Sequence, residues 1–215
     1  IFRTLADGDS AVPERGMGTI TEQLASRLTR TSIHLDTPAV AVEPGRVVVS
    51  GGRSITAKNV IVATEGPVAA ALLGLPQVES RSAGCVYFAA DVAPVDGAYV
   101  ILDGHGHGPV YNVAVMSHVS PAYAPPGKHL VAAALPGAIE GDLESAARRQ
   151  LRSWWGPQVD NWRHLRTYRI AHGQPDQTPP FSPKKNVSLG NGIFVCGDHR
   201  DTGSIQGAMF SGRRC

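Results

Sequence analysis

Gly192-Ile193-Phe194-Val195-Cys196-Gly197-Asp198, followed after a short polar loop by Ser204-Ile205-Gln206-Gly207-Ala208-Met209-Phe210-Ser211-Gly212, is the most informative stretch of this 215-residue chain. An apolar run that stops at Gly-Asp reads as a short buried strand, and it sets a carboxylate at the carboxyl edge of a sheet. The last helix is predicted to begin near Ser204. Small residues between strand and helix let the helix start approach a ligand closely. That start is electropositive, because its free backbone N–H groups and its dipole both favour negative charge. The stretch therefore predicts an anion-facing sheet edge within an α/β fold.

Toward the amino terminus, Asn59-Val60-Ile61-Val62-Ala63 has the near-continuous apolar character of another buried strand. Before it, Arg46 to Ser50, Gly51-Gly52 and Arg53 to Ala57 read as a hairpin whose two glycines supply the positive φ angles of a primed turn. Val40-Ala41-Val42 supplies a neighbouring strand. Gly16-Met17-Gly18, with Thr19 and Glu22 at capping-box spacing, predicts a loop feeding an amphipathic helix whose face carries Ile20, Leu24 and Leu28. After Pro76 the texture changes. Runs at Cys85 to Ala89, Ala98 to Leu102, Val110 to Met116 and His129 to Ala134, punctuated by Pro and Gly, predict a mostly antiparallel sheet. A helix is expected from about Leu143 to Trp155, with Leu143, Ala147, Leu151 and Trp154 along one stripe. Residues 172–186, rich in Pro and polar side chains, read as a connecting loop.

With 42% hydrophobic and 18% charged residues, the chain can bury a substantial core. Its 20 basic and 18 acidic residues give a net charge of +2 without any basic run, which argues against nucleic acid as a partner. Cys85, Cys196 and Cys215 are odd in number and lack a CxxC pair, against a disulfide framework or zinc cluster and in favour of a reducing, cytoplasmic setting. No apolar run approaches the ~20 residues needed to span a bilayer, so no transmembrane segment is expected. His105 and His107 have HxH spacing, but their glycine-rich surroundings read as a hairpin tip, and no metal is expected. Trp154, Trp155 and Trp162 read as core packing. Ile1-Phe2-Arg3 is neither an initiator Met nor a signal peptide, and the last helix lacks a stop signal, so both ends read as cut from a longer gene product.

On these residues the chain resembles the FAD-dependent amine oxidase superfamily, which includes monoamine oxidases, protoporphyrinogen oxidases and phytoene desaturases, over nearly its whole length. The resemblance implies an α/β (α+β) fold. A truncated FAD-binding domain of the FAD/NAD(P)-binding type, residues 1–80 and 186–215, would carry an inserted, mostly antiparallel sheet-plus-helix substrate domain, residues 81–185. It places Gly197 and Asp198 by the ribityl-pyrophosphate part of FAD. Ser204, Ile205, Gln206 and Gly207 would form the helix start that faces the pyrimidine side of the isoalloxazine. Ala39, after Pro38, maps to the position whose backbone hydrogen-bonds the adenine, where the family usually has Val. Ala63 and Thr64 map to a strand end near the cofactor. His172 and Gln174 fall where the chain returns toward the flavin, as substrate contacts or as solvated loop. The implied reaction is hydride removal from a C–H bond of an apolar or amine small-molecule substrate to flavin N5, with reoxidation by oxygen or another acceptor. No catalytic base is singled out, and a homo-oligomer stays open as a partner.

Two departures narrow this. No βαβ unit bearing GxGxxG occurs in the chain, so it holds at most half of an FAD site and is expected to bind FAD weakly or not at all alone. The alternative is a cofactor-free, inactive fragment, or a partner subunit lacking the dinucleotide-binding unit. Ser204 also stands where amine oxidases proper place a tyrosine of an aromatic cage. The resemblance accordingly leans toward the desaturase and porphyrinogen-oxidase side, with larger apolar substrates.

Overall fold

A computed structural model of the chain describes residues 11–215; the reading of Ile1-Phe2-Arg3 lies outside them. In chain order the first half holds α1 (Gly18–Ser26), β1 (Ala39–Glu43), β2 (Arg46–Val49), β3 (Ser54–Thr56), β4 (Val60–Val62), α2 (Gly66–Leu73), β5 (Ser80–Ala90) and β6 (Val100–Leu102). Then come β7 (Asn112–Val115), α3 (Met116–Val119), β8 (His129–Pro136), α4 (Leu143–Trp155), β9 (Arg163–Pro175), β10 (Ser188–Gly190), β11 (Ile193–Val195) and α5 (Ile205–Arg213). The chain divides into two compact units. One comprises the described residues through Ser32 together with Ala83–Arg169, the other Ile33–Ser82 with Ile170–Cys215.

The first unit is organised by a five-stranded sheet of order β6-β7-β8-β5-β9. Its pairs β6/β7, β7/β8 and β5/β8 are antiparallel, as the Pro- and Gly-punctuated runs predicted. Strict alternation in β5 buries Val86, Phe88 and Ala90, and the register sets Val86 opposite Ala133 and Phe88 opposite Val131, so one face of both strands is apolar. Helix α4 covers that cluster with Leu143, Ala147 and Leu151, spaced one helical turn apart. Asp142 caps it by accepting from the Ser145 N–H (3.1 Å). Gly84 makes room for the helix start, since a Cβ there would lie 2.3 Å from the Ala138 carbonyl oxygen and 2.9 Å from Leu143 Cδ1. Arg148 holds the segment after the helix, donating to the carbonyls of Val159 (2.6 Å) and Trp162 (3.0 Å). Gln150 acts as a strand partner for Val110, accepting from its N–H (2.8 Å) and donating to its carbonyl (2.9 Å). The three tryptophans pack in or against this core.

Three expectations need correction. Helix α1 starts at Gly18 with Met17 as its N-cap, so Thr19 lies inside the first turn. Its hydroxyl donates to the Gly16 carbonyl (2.8 Å) and forms no capping box. The predicted face of α1 is not buried either: Leu24 and Leu28 are half-exposed. The loop predicted for residues 172–186 begins later, because β9 continues through Pro175.

The second unit holds two small sheets. Strands β1-β2-β3 form an antiparallel meander whose β2-β3 half is the predicted hairpin; its loop has three residues, Ser50 to Gly52, rather than the two glycines expected, with Val49 N–H donating to the Arg53 carbonyl (2.9 Å) and φ angles of 83° and 81° at Gly51 and Gly52. In the other sheet, of order β10-β11-β4, β11 pairs parallel with β4 (Ile193 with Val60, Val195 with Val62) and antiparallel with β10. Val60, Val62, Ala69 and Val195 make the core between this sheet and α2, with Val42 and Val47 of the meander packed against it. Helix α2 has Pro in its first turn and ends at Gly74 in the left-handed conformation. Among the described residues no helix is long and apolar enough to cross a membrane.

Candidate cofactor site

Because β4 and β11 run parallel, their carboxyl ends fall side by side. The Cys196 N–H donates to the Val62 carbonyl (2.9 Å), and a Cβ on Gly197 would lie 3.3 Å from the Thr64 carbonyl oxygen. Ala63 and Thr64 are thus brought against Gly197 and Asp198 at one sheet edge, the place where open α/β sheets hold ligands. Ala39 lies elsewhere, exposed at the start of β1 in the meander, opposite Val49.

Gly197 turns the chain with φ 149° and ψ 172°, and the His199 ring occupies the space a Cβ would need, at 2.6 Å. A short 3-10 turn, Asp198–Arg200, leads from there toward α5. The Ser204 hydroxyl caps α5 by accepting from the Gly207 N–H (3.0 Å). Gly207 is needed there because a Cβ would fall 1.9 Å from the Thr202 carbonyl oxygen. Ile205 and Gln206 are exposed, and no acceptor for their N–H groups stands among the described residues. With the side chain of Asp198 33% exposed nearby, the edge offers free N–H donors for an anion and a carboxylate for hydroxyls.

Sequence reasoning missed the groups that lock this edge. Ser211 is fully buried; its hydroxyl accepts from the Gly197 N–H (2.9 Å), with its own proton within reach of the Gly197 carbonyl (2.9 Å) and the Ala208 carbonyl (2.7 Å). The signal was present as small residues one turn apart, Gly207 and Ser211, the two buried positions of α5. Arg214 fastens the same helix, donating to Asp201 (2.9 Å) and to the carbonyl of Arg200 (3.0 Å). His172 and Gln174 lie in β9 and share with Asp198, Glu65 and Ser80 a cleft of about 160 Å³. Among the described residues no group of His, Cys, Asp and Glu could hold a metal ion; His105 and His107 sit in the loop between β6 and β7.

His199 is 4% exposed, with neither ring nitrogen hydrogen-bonded; Asp198 Oδ1 is 3.9 Å from its Nδ1. Burial holds its pKa below the ordinary 6.5, the Arg200 charge lowering it further, Asp198 opposing and Lys185 lowering it again. Since the unfolded chain takes up that proton more readily, the stability contributed by neutral His199 is complete above the unfolded pKa and is lost as pH falls through the folded one. Stability is expected to decline between about pH 7 and about pH 5, and His199→Gln to flatten the decline. Urea midpoints at both pH values check this, and a slope that the substitution leaves unchanged excludes His199 as the source.

The flavin containing amine oxidoreductase family matches residues 1–215. No curated protein matches the sequence. Among solved structures, a candidate protoporphyrinogen oxidase from Exiguobacterium sp. 255-15 superposes with a TM-score of 0.68 at 20% identity, over 92% of this chain and 49% of that one. Reduced UDP-galactopyranose mutase gives 0.64 at 13% identity, over 88% and 46%. A Pyrococcus furiosus protein gives 0.55 at 13% identity, over 81% and 44%. At such identities the likeness is one of fold, and the chain spans about half the length of these structures. Matched from its first residue to its last, the chain belongs to the flavin containing amine oxidoreductase family.

Proposed function

We propose that this chain is the carboxy-terminal part of an FAD-dependent oxidoreductase that removes a hydride from a C–H bond of an apolar or amine substrate. The observation that carries the reading is the shared edge of β4 and β11, where Thr64, Gly197 and Asp198 meet and α5 turns a capped but otherwise open N-terminus outward. Gly197 and Asp198 would hold the ribityl end of FAD, the N–H groups of Ile205 and Gln206 the pyrimidine side of its ring, Ala63 and Thr64 the adjoining part and Ala39 the adenine. Those free donors suit the negative charge that collects on that side of a flavin, which is the fit the donor set offers. FAD, when bound, supplies the hydride acceptor; the protein positions substrate and steadies charge. The FAD-binding portion is assigned residues 1–80 and 186–215 and the substrate portion 81–185. The compact unit of residues 33–82 and 170–215 contains every candidate cofactor residue, although its bounds differ from the assigned ones, the described residues through 32 falling with the other unit and 170–185 with this one.

The chain alone is assigned weak FAD affinity, because no GxGxxG sequence, whose helix start would cradle the diphosphate, occurs in it. The second reading, a subunit completed by a separate dinucleotide-binding unit, is favoured by a specific feature. In the order β10-β11-β4 the outer edge of β4 has no strand beside it among the described residues. In the same unit Ile61, Ile205, Met209 and Phe210 are each more than half exposed. Parallel strands are ordinarily covered on both sides. In protein completed with a GxGxxG-bearing unit, Asp198→Ala is expected to lower bound flavin at least about tenfold, equivalent to ~1.4 kcal/mol. Absorbance of the purified proteins measures it, and unchanged flavin content overturns the assignment of Asp198.

A further inference from the structure

The second unit contains a cavity of about 280 Å³ that the cofactor reading leaves unused. It lies among α2, the segment of residues 75–79, the stretch after β9 and the turn after β11, and the only candidate cofactor residue in its lining is Asp198. Ala69, Ala70, Leu75, Val78 and Phe181 give it apolar surface, to which Lys185, His199 and Arg200 add nitrogen-bearing side chains. Lys185 and Arg200 are held side by side. The Lys185 N–H donates to the Arg200 carbonyl (3.0 Å), and the Arg214 guanidinium donates to the carbonyls of both (3.3 and 3.0 Å).

Among the described residues neither Lys185 nor Arg200 has a carboxylate within ion-pairing distance, because the acids of the lining are engaged or lie away from them. Asp201 pairs with Arg214 (2.9 Å), Asp176 with Arg81 (3.2 Å), Asp198 stands 3.9 Å from His199 Nδ1, and Glu79 is exposed. The buried side-chain nitrogens left without a hydrogen-bond partner are Arg200 Nε and the two of the His199 ring, so all of them belong to residues of this one cavity. Leaving such groups unpaired is costly, most of all for a charged guanidinium. A carboxylate suits them, since the planar fork of a guanidinium takes its two oxygens in parallel bonds, Lys185 supplies a second charge, and a neutral imidazole keeps one N–H to donate. Bare phosphate or sulfate would leave the apolar lining uncovered, whereas an acid with an aryl or alkyl body fills it. We propose that this cavity binds a small organic carboxylate, its head on Arg200 and Lys185 and its apolar body against Ala70, Leu75, Val78 and Phe181. The volume lies just under the roughly 300–1,000 Å³ of drug-sized pockets, which sets the ligand at the size of a phenylalkanoic acid and rules out a dinucleotide.

Calorimetric titration of the full chain with 3-phenylpropanoate at neutral pH tests this, and no flavin enters the assay, so its outcome is separate from that of the cofactor reading. One acid per chain is expected to bind, the uncharged 3-phenylpropanamide at least about tenfold more weakly, with inorganic phosphate unable to displace the acid. Arg200→Gln should weaken binding at least about tenfold and Lys185→Ala about threefold, while Lys58→Ala, at an exposed lysine of the same unit outside the lining, leaves it unchanged. Arg200 is half-buried, so the urea midpoint of its variant is measured alongside; where that midpoint falls, Lys185→Ala, at an exposed position, decides. Equal affinity for acid and amide, undiminished binding by Lys185→Ala, displacement of the acid by equimolar phosphate, or no saturable binding up to about 10 mM overturns the proposal.

Discussion

Gly197→Ala is expected to destabilise the chain by about 2–6 kcal/mol. Two costs combine. The backbone at φ 149° and ψ 172° lies in a region that residues with a Cβ almost never enter, and the new methyl would fall 2.6 Å from the His199 ring. That ring has little room to swing away, because His199 is buried and its Cβ lies against Gly66, where an added Cβ would stand 3.2 Å from it. Ser211 would also lose alignment with the Gly197 N–H. Equilibrium urea unfolding measures the effect, and a loss below about 1 kcal/mol would show that the turn relaxes without strain.

Leu151→Ala should cost about 2–5 kcal/mol through lost burial and the cavity left behind. Leu151 is wholly buried at the third step of the α4 stripe, within a cluster that includes Val86, Phe88, Val131 and Trp162. Both flanks of the site are fixed, the sheet by its ladder and the segment after the helix by Arg148, so collapse around the hole is limited. Trp154→Ala, at a half-buried position on the same helix, is the comparison. A Leu151 variant that unfolds at the wild-type urea midpoint would contradict the packing described for this core.

Helix α4 was legible because its apolar residues recur at one-turn spacing, and the structure adds the Asp142 cap that this reading did not use. The β2-β3 hairpin was legible because two glycines between two strand-like runs supply the positive φ angles its turn needs. Strand β9 was not: at the edge of its sheet, nearly every residue from Arg163 to Pro175 is exposed, which erases the alternation that marks a half-buried strand. Helix α2 escaped for the opposite reason, as Val68 to Leu73 are uniformly apolar and show no period, although Pro67 and Gly74 bracket them. At the candidate site, the Gly197-Asp198 strand exit and a helix start near Ser204 were legible from residue type and order, while the Ser204 cap was not read. The lock supplied by Ser211 and the buried His199 ring depend on how α5 and the turn after β11 come together, which no local pattern encodes.

The most direct test of the central claim, that the β4–β11 edge and the start of α5 are one half of an FAD site, is a fluorescence titration of FAD with the purified chain, alone and with a GxGxxG-bearing βαβ unit supplied in trans. The account predicts no saturable binding at micromolar chain alone, and one FAD bound per chain when the unit is added. Tight stoichiometric binding by the chain alone, or none with the unit present, would contradict it.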